Sequence, residues 1–455
     1  MTLSTGPATA ATRSGRWPRA AASAAATVWP ARILLFAISL YAGIVSPLML
    51  RAAGGGANDE GGSMLNQLLW LALGGAAVAL VLARHRPALL SRVARAHVFA
   101  LALIAWFVLS TVWSLAPEAT VRRVVLQIVV IASVTSCVVT ISNARTVCDD
   151  ILRFFAVAAV VNWLAVVALP PTPIGYAGVY LSKNNFGAFA ALMVLFALPR
   201  IFSAQIAMRA LAGFVLASGI VFLAISKAKT SMGLSVVVPA LSFLLLLLGR
   251  ASRIDVAVLA GALVLAVLVA VGVVIDIAGV SSEDFLTFVF GDPTFTNRTF
   301  IWDFADKFIA ARPWHGYGYG GFWQIGDASP VLHAGAAWMT GAINQAHNLY
   351  IDLMLQGGYV ALGLFLLQLG LTISRASRLS GWRLSDRVTV LGVVCYSALY
   401  NFFDTTLFRS YNSAWIYFAV ASVLIGLGSY AGGKAAPRGL TGPAGGEALP
   451  ATTRR

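Results

Sequence analysis

The sequence predicts an all-α integral membrane protein with about twelve transmembrane helices and one large extracytoplasmic loop that contains an amphipathic helix. The first observation behind this prediction is composition, because 59% of the 455 residues are hydrophobic, 11% are charged and the mean hydropathy is +0.82. About a quarter of the residues in an average soluble protein are charged, so this chain is far more apolar than that class. The second observation is the recurrence of apolar runs of about 20 residues, the length that one membrane-spanning helix needs.

The net charge of +15 does not indicate a nucleic-acid partner. The basic residues lie in short clusters between apolar runs and form no basic stripe interleaved with aromatic residues. Membrane topology explains them better, because short cytoplasmic loops are enriched in Lys and Arg. Two such clusters follow the second and the tenth predicted spans: Arg84, Arg86, Arg92 and Arg95, and Arg375, Arg378, Arg383 and Arg387.

These patterns divide the chain into five regions. Residues 1–30 are predicted to be a cytoplasmic N-terminal tail, although their Ala- and Arg-rich composition also fits a transit peptide. Residues 31–278 contain spans 1–9, residues 279–345 form the extracytoplasmic loop, residues 346–430 contain spans 10–12, and the Gly- and Pro-rich residues 431–455 form a disordered cytoplasmic tail. The predicted spans lie near 31–50, 64–83, 97–115, 121–141, 151–169, 184–202, 208–226, 231–248, 254–278, 346–372, 388–407 and 411–429.

The large loop contains an amphipathic pattern in the segment NRTFIWDFADKFIAARP. Its apolar residues recur at three- and four-residue spacing, which predicts a helix that Thr296 or Asn297 caps and that Pro313 ends. Such a helix lies either on the membrane surface or over the helical bundle. The apolar face consists of Ile301, Phe304, Ala305, Phe308 and Ile309.

The next segment, WHGYGYGGFW, matches the G-x-G-x-x-G pattern only in its letters. Neither a predicted strand nor a βαβ unit surrounds the glycines, so we reject a dinucleotide site. Glycines interleaved with large aromatic residues indicate a tight loop that presses rings on its surroundings. Tyr317, Tyr319, Phe322 and Trp323 can pack on the bundle, or they can stack on sugar faces or at the bilayer interface.

Several cations fall on the predicted outer face, where the positive-inside rule does not expect them. Lys183 precedes a span, and Lys227 and Lys229 lie in the short turn SKAKTS. A snorkelling lysine at the interface explains such a residue, and so does an anionic ligand, since phosphate attracts Lys and Arg. Arg298 begins the amphipathic helix, where it can either pair with an acid such as Asp303 or help to bind an anion.

His347 stands at the outer entrance of the tenth span and is followed by Asn348 and, five residues on, by Asp352. A histidine there can be a cap or an interfacial residue. Histidine is also the residue type best suited to take a proton near neutral pH. Asp352 is a candidate to orient the imidazole, although a spacing of five residues puts it off the helical face of His347.

The sequence offers no pattern for a metal or a disulfide. Cys137, Cys148 and Cys395 fall in or beside apolar helices or on the cytoplasmic side, and no H-x-x-x-H, CxxC or paired-carboxylate spacing occurs. We therefore predict no metal and no cofactor.

Five ordered motifs in residues 100–430 resemble the O-antigen ligase and Wzy-type polymerase superfamily, most closely its exopolysaccharide-polymerase branch. Each motif is degenerate, but their order and their placement on one membrane face are more specific. The motifs are Lys183-Asn184-Asn185, SKAKTS, Asn297-Arg298-Thr299 with Trp302, GYGYGGFW, and His347-Asn348 with Gly357-Gly358.

The resemblance implies a glycosyltransferase that uses sugars carried on undecaprenyl diphosphate at the periplasmic face of the bacterial inner membrane, without a nucleotide sugar or a metal. The lipid diphosphate leaves, so cations are needed where its negative charge grows. The candidates are, in order, Arg298, Lys229, Lys227 and Lys183, with His347 as the base that activates the acceptor hydroxyl. Further substrate-binding candidates are Asn348, Asp352, Trp302, Tyr317 and Tyr319.

One position departs from the family pattern, because this chain has Lys229 where members often carry Arg. Lysine keeps the charge but lacks the bidentate fork of a guanidinium, which puts the phosphate geometry in doubt.

The main functional hypothesis is a polymerase that joins lipid-linked repeat units. Its partners would be the bilayer, undecaprenyl-diphosphate-linked oligosaccharide, a flippase that delivers the donor and a chain-length regulator. The first alternative is an O-antigen ligase that transfers the glycan to lipid A core. A transporter or flippase is a third hypothesis, although transporters tend to place ionisable residues near the bilayer midplane rather than on one outer face. A non-enzymatic assembly partner remains a further alternative.

Overall fold

The computed structural model describes residues 17–52, 64–83, 86–171, 174–279, 281, 284, 287, 297–333, 343–379 and 381–431. Helices account for most of these residues, and none of the described residues belongs to a β-strand. The predicted all-α fold class is therefore confirmed over these ranges. The predictions for residues 1–16 and 432–455, which include most of both tails, lie outside the described residues.

The twelve predicted apolar segments each contain a helix, because their backbone groups have no water to bond to and must pair within the segment. A short π-helical turn, Tyr41–Val45, joins the first two helices. In chain order the helices are α1 (Trp17–Leu40), α2 (Ser46–Ala52), α3 (Met64–Ala83), α4 (Pro87–Ala96), α5 (Val98–Leu109), α6 (Pro117–Ile141), α7 (Ala144–Ala168), α8 (Lys183–Ala197), α9 (Ile206–Ser226), α10 (Lys229–Ser252), α11 (Val256–Ala278), α12 (Arg298–Ala311), α13 (Leu349–Ala376), α14 (Leu384–Tyr400) and α15 (Ser413–Ala431).

Seven of the described helices are long and apolar enough to cross a membrane, or eight if the bent pair α4–α5 forms one span. The prediction of about twelve spans is therefore not confirmed. Three of the predicted spans contain a helix of 17 residues or fewer, less than the roughly 20 that a crossing needs, since α5 has 12 residues, α8 has 15 and α14 has 17. The first apolar span runs over Val28–Ala52, while α1 itself begins at Trp17, inside the predicted tail.

The short helix α8 lies inside the protein rather than against lipid. Every residue from Phe186 to Ala197 is buried, and α7, α9, α10, α14 and α15 all pack against it. Hydropathy alone does not distinguish such a helix from a lipid-facing one, because both environments are apolar. The burial of α8 places its first residue, Lys183, within one end of the bundle.

The turn between α9 and α10 packs tightly against the start of α8. A Cβ on Gly187 would lie 2.4 Å from the Cβ of Ala228, so only glycine allows this approach. The preceding loop is held by the N–H of Tyr176, which donates to the carbonyl of Ile225 at 3.1 Å. These contacts bring the N-termini of α8 and α10 together.

Helix α13 is broken at Gly358, which has a φ of 67° and a ψ of −169°. A continuous helix would direct the N–H of Tyr359 to the carbonyl of Leu355, but here it donates to Pro313 at 2.7 Å. The carbonyl of Leu355 instead accepts from the N–H of Tyr317 at 2.8 Å. The glycine–aromatic segment is therefore fixed in the gap of the broken helix by backbone hydrogen bonds.

The amphipathic helix of the large loop is α12, and it packs over the bundle. Helix α12 ends at Ala311, two residues before Pro313, as the sequence predicted; Asn297 occupies the N-cap position, but its side chain makes no capping bond. Thr296 lies outside the described residues. The buried face of α12 joins the glycine–aromatic segment and α13 in one apolar cluster, whose members include Ile301, Ala305, Ile309, Tyr317, Phe322 and Leu355.

Replacing Gly358 by Ala is expected to destabilise the fold. The new Cβ would lie 2.1 Å from the backbone carbonyl carbon of Trp314. The φ and ψ of residue 358 are, in addition, accessible essentially to glycine alone. The backbone conformation alone costs about 1–3 kcal/mol for another residue. We expect the midpoint of thermal unfolding, followed by tryptophan fluorescence of purified protein in detergent, to fall by several degrees.

The matched control is Gly363→Ala, in the same helix, whose added Cβ would meet no atom within 4 Å. This variant should keep the wild-type midpoint or raise it slightly, because Ala is a better helix former. Equal midpoints for Gly358→Ala and Gly363→Ala would contradict the described helix break.

Candidate functional site

Several helix ends meet around Tyr400, the last residue of α14. Its hydroxyl lies 3.3 Å from the carbonyl oxygen of Asn184 in the first turn of α8 and 3.4 Å from Oδ2 of Asp404. One turn earlier, the hydroxyl of Tyr396 lies 3.5 Å from Oγ of Ser231 in the first turn of α10. The N-termini of α8 and α10 and the loop that follows α14 therefore share one end of the bundle.

The three predicted lysines lie around this meeting point. Lys183 is the first residue of α8 and is partly exposed. Lys229 is the first residue of α10, and Lys227 ends α9 with a left-handed φ of 54°. Both of these side chains are exposed. The structure thus gathers the lysines near one another, and their role in phosphate binding stays a prediction.

His347 contacts an acid that the sequence analysis did not single out. Its Nδ1 lies 3.3 Å from Oδ1 of Asp404, while the side-chain exposure is 34% for His347 and 7% for Asp404. Nε2 of Gln345 donates to the same Oδ1 at 3.0 Å and lies 3.2 Å from the imidazole Nδ1. The partly exposed imidazole of His347 therefore contacts the buried carboxylate of Asp404.

The backbone on both sides of His347 is firmly held. The carbonyl of Ala346 accepts from Nε1 of Trp302 at 2.9 Å, and its N–H donates to Oδ1 of Asp352 at 3.1 Å. On the other side, Asn348 caps α13, because its Oδ1 accepts from the N–H groups of Tyr350 and Ile351. These bonds hold His347 at a φ of 51°, a left-handed conformation that costs a non-glycine residue about 1–3 kcal/mol.

The side chain of Asp352, a candidate to orient the His347 imidazole, makes its hydrogen bonds to other groups. Its carboxylate is fully buried and accepts hydrogen bonds from Nε1 of Trp323 at 2.7 Å, from the N–H of Ala346 and from Oγ1 of Thr405. None of these bonds reaches the imidazole of His347. The carboxylate that contacts His347 is that of Asp404, whereas Asp352 accepts from the backbone N–H of the residue before His347.

Arg298 is the first residue of α12, and its charge acts on both Asp404 and Tyr400. Burial lowers the pKa of its guanidinium, and the negative charge of Asp404 offsets part of that effect. Burial alone would raise the pKa of Asp404. The hydrogen bond and charge of His347, the N–H of Thr405 and the charge of Arg298 outweigh this, so the pKa lies below its ordinary value and the group is an anion at neutral pH.

The aromatic rings of the glycine–aromatic segment pack on the protein. Tyr317, Tyr319, Phe322 and Trp323 are each at most 6% exposed. The hydroxyl of Tyr317 donates to the carbonyl of Phe308 at 2.9 Å, and burial raises its pKa. The hydroxyl of Tyr319 donates to the carbonyl of Phe408 at 2.7 Å. Packing is therefore the alternative that the structure shows for these rings, and substrate contact by Tyr317 or Tyr319 stays a prediction.

A cavity of about 230 Å³ adjoins the carboxylate of Asp404. Gln345 and Asp404, which both contact the imidazole of His347, belong to its wall. Asn185, in the first turn of α8, and Tyr319 also line it. The cavity therefore gives a small polar ligand a place beside the His347–Asp404 pair.

Asp404 is the main residue that sequence reasoning missed. The predicted span 388–407 included it, but α14 ends at Tyr400 and Asp404 lies in the following loop. An acid inside a predicted span is by itself a sign of function, because the bilayer disfavours an unpaired charge. That signal was present in the segment NFFDTT. Asp404 is 57 residues from His347, so spacing along the chain does not pair them.

Comparison with known families supports the motif resemblance. Residues 212–366 match the family described as O-antigen ligase (Wzy_C). This region includes Lys227, Lys229, Arg298, His347 and Asp352, but it is narrower than the 100–430 range of the resemblance. No curated protein matches the chain. Over residues 212–366, about a third of the chain, this multi-pass membrane protein is therefore similar to the O-antigen ligase family, in agreement with the motif resemblance.

Proposed function

We propose that this protein polymerises undecaprenyl-diphosphate-linked oligosaccharide repeat units into exopolysaccharide or O-antigen. The observation that carries the proposal is the contact of His347 with a buried carboxylate, Asp404, on which Arg298 also acts. A proton acceptor and a cation beside one another suit the displacement of a diphosphate by a sugar hydroxyl. The family match supports a membrane glycan polymerase or ligase.

The donor diphosphate is assigned to the helix N-termini. Helices α10 and α12 begin with Lys229 and Arg298. Such an N-terminus attracts phosphate oxygens, because its N–H groups and the helix dipole present positive charge. Lys183 and Lys227 supply further positive charge. In this proposal the cations stabilise the negative charge that grows on the diphosphate as it leaves.

The base is assigned to His347. Asp404 favours the tautomer with a proton on Nδ1, which leaves the lone pair on Nε2. The acceptor hydroxyl oxygen forms a bond to the donor anomeric carbon while the bond from that carbon to the diphosphate oxygen breaks. The hydroxyl proton passes to Nε2, and Asp404 stabilises the resulting imidazolium. Attack opposite the leaving group inverts the anomeric configuration, and side chains supply the cationic charge without a metal.

We place this reaction at the periplasmic face of the bacterial inner membrane. Two of the arginine clusters predicted to be cytoplasmic meet each other, since Arg375 donates to the carbonyls of Arg95 and Ala96. Arg375 lies in the last turn of α13, whereas His347 precedes its first turn. The site and the arginines thus lie beyond opposite ends of one helix, which supports an outward-facing site. A flippase and a chain-length regulator are proposed partners.

An O-antigen ligase is the second candidate, because the matched family carries that description. A ligase uses the same leaving diphosphate and the same base, and it differs in the acceptor, which is lipid A core. The site residues therefore have the same roles under both candidates.

The first expected outcome concerns turnover by purified protein in detergent with EDTA. Wild-type protein should convert lipid-linked repeat units into a ladder of longer glycans. His347→Ala removes the proposed base and should slow the rate by about 10²–10⁴-fold. Arg298→Ala removes a cation from the leaving group and should slow it by about 10²–10³-fold.

Two matched variants control for general damage. His315→Ala alters a histidine that packs against Trp113, and Arg312→Ala alters the arginine at the other end of α12, which lies over the ring of Tyr317. Both should retain most of the activity. Wild-type rates in folded His347→Ala would rule out the assigned base. Movement of substrate between leaflets by a protein with both Arg298→Ala and His347→Ala would favour a transporter.

The second expected outcome is a change in pH dependence. The pKa of Asp404 lies below its ordinary value, so Asp404 is ionised over the range in which a histidine base titrates. In Asp404→Asn the imidazolium loses its anionic partner, so its proton leaves more easily. In the profile of kcat against pH, the acidic limb should move to lower pH. The maximal kcat should also fall, because Asp404 no longer fixes the His347 tautomer with its proton on Nδ1. An acidic limb at the wild-type pH would contradict this role.

The third expected outcome separates the polymerase from the ligase. Purified protein is given the donor with either lipid-linked repeat units or lipid A core as the acceptor, and the products are resolved by mass. Lengthening of the lipid-linked glycan is the predicted result. Transfer to lipid A core alone would refute the polymerase proposal and support the ligase.

A further inference from the structure

The charged groups of the cavity beside Asp404 are mostly positive. Among the described residues that line it, those with ionised side chains at neutral pH are Arg123, Arg409 and Asp404. Arg123 comes from the outer part of α6, and Arg409 comes from the loop before α15. Two guanidinium groups thus face a small cavity that contains a single carboxylate, and that carboxylate is already engaged by His347 and Arg298.

Both guanidinium groups are anchored to backbone carbonyls. Nη2 of Arg409 donates to the carbonyl of Asn344 at 3.0 Å, and Nη1 of Arg123 donates to the carbonyl of Gly320. Both side chains are partly buried. A guanidinium fixed in this way has less side-chain entropy to lose when it binds an anion, and its planar fork matches a carboxylate.

The remainder of the wall has the chemistry of a sugar site. It contains six carboxamide side chains together with aromatic rings, and carboxamides both donate to and accept from sugar hydroxyl groups. Aromatic rings offer the apolar faces on which sugar rings rest. The carboxamides in the wall are Asn185, Gln324, Asn344, Gln345, Gln356 and Asn412.

The position of the cavity relates it to the acceptor rather than to the leaving group. Gln345 and Asp404 belong both to the cavity wall and to the surroundings of the His347 imidazole, so a sugar in the cavity lies one side chain away from that imidazole. Lys229 and Arg298 instead begin the two helices assigned to the diphosphate. The diphosphate and the acceptor sugar are therefore assigned to different residues.

We propose that the cavity is the acceptor site and that it selects an acidic sugar, whose carboxylate binds Arg409 and Arg123. This proposal rests on the proposed function for the statement that the glycan is an acceptor. The recognition of a sugar carboxylate follows from the cavity itself. The protein would accordingly build a polymer whose repeat unit carries a uronic acid or a similar carboxylated sugar at its acceptor end.

The test measures binding and needs no turnover, so it is independent of the polymerase assay. Three probes are titrated into purified protein in nanodiscs and followed by saturation-transfer NMR. They are a methyl trisaccharide that ends in glucuronic acid, the same trisaccharide with its carboxyl group reduced to a hydroxymethyl group, and inorganic diphosphate. Wild-type protein should bind the acidic glycan at least about tenfold more tightly than the reduced one, since a guanidinium adds a charge-assisted hydrogen bond only to the former.

The variants assign this preference to the arginines. Arg409→Gln and Arg123→Gln should each reduce or abolish the preference for the acidic glycan while leaving affinity for the reduced glycan unchanged, which also shows that the cavity is intact. Arg409→Lys should retain part of the preference, because it keeps the charge but loses the fork. Arg312→Gln, outside the cavity, should match wild type.

Three results would overturn the proposal. Equal affinity of wild type for the two glycans would show that the cavity does not recognise a carboxylate. If Arg409→Gln and Arg123→Gln each failed to bind either glycan, the arginines would only maintain the shape of the cavity. Competition between diphosphate and the acidic glycan would assign the cavity to the donor. Absence of polymerisation together with a retained acidic preference would instead refute the proposed function and leave the glycan site in place.

Discussion

The candidate site depends on the buried carboxylate of Asp352. Its two oxygens accept from the indole of Trp323, the N–H of Ala346 and the hydroxyl of Thr405, so three separate loops are tied to the first turn of α13. A buried carboxylate without donors costs several kcal/mol or more, and this cost disappears only when all three loops are in place. The carboxylate therefore couples the glycine–aromatic segment, the residue before His347 and the loop of Asp404, and it makes the site a product of the complete fold.

This arrangement separates the groups that hold the site from the groups that face substrate. Asp352, Trp302 and Asn348 use their polar atoms within the protein, on the backbone beside His347. His347 remains partly exposed, and Asp404 both contacts it and lines the cavity. The hydrogen bonds to residues 346 and 348 thus hold His347 in its left-handed backbone conformation. Strained conformations of this kind are found at functional sites.

The sequence was sufficient to predict the all-α class and the helix α12, and it singled out His347 and Arg298, which both act on Asp404 in the structure. Composition and helical periodicity report directly on burial, which is why these features could be predicted. Hydropathy did not reveal that α8 is enclosed by protein, since lipid and protein interior are equally apolar to it. The pairing of His347 with Asp404 and the placement of Arg123 and Arg409 around one cavity arise from contacts between distant segments, so spacing along the chain does not predict them.

The central claim is a direct displacement in which His347 activates the acceptor and the diphosphate leaves from the opposite side of the anomeric carbon. The most direct measurement is the anomeric configuration of the linkage that purified protein makes from a donor of known configuration, read from proton coupling constants by NMR. An α-linked diphosphate donor should give a β-linked product. An α-linked product would contradict the account, because retention requires either a covalent glycosyl intermediate or attack from the side of the leaving group.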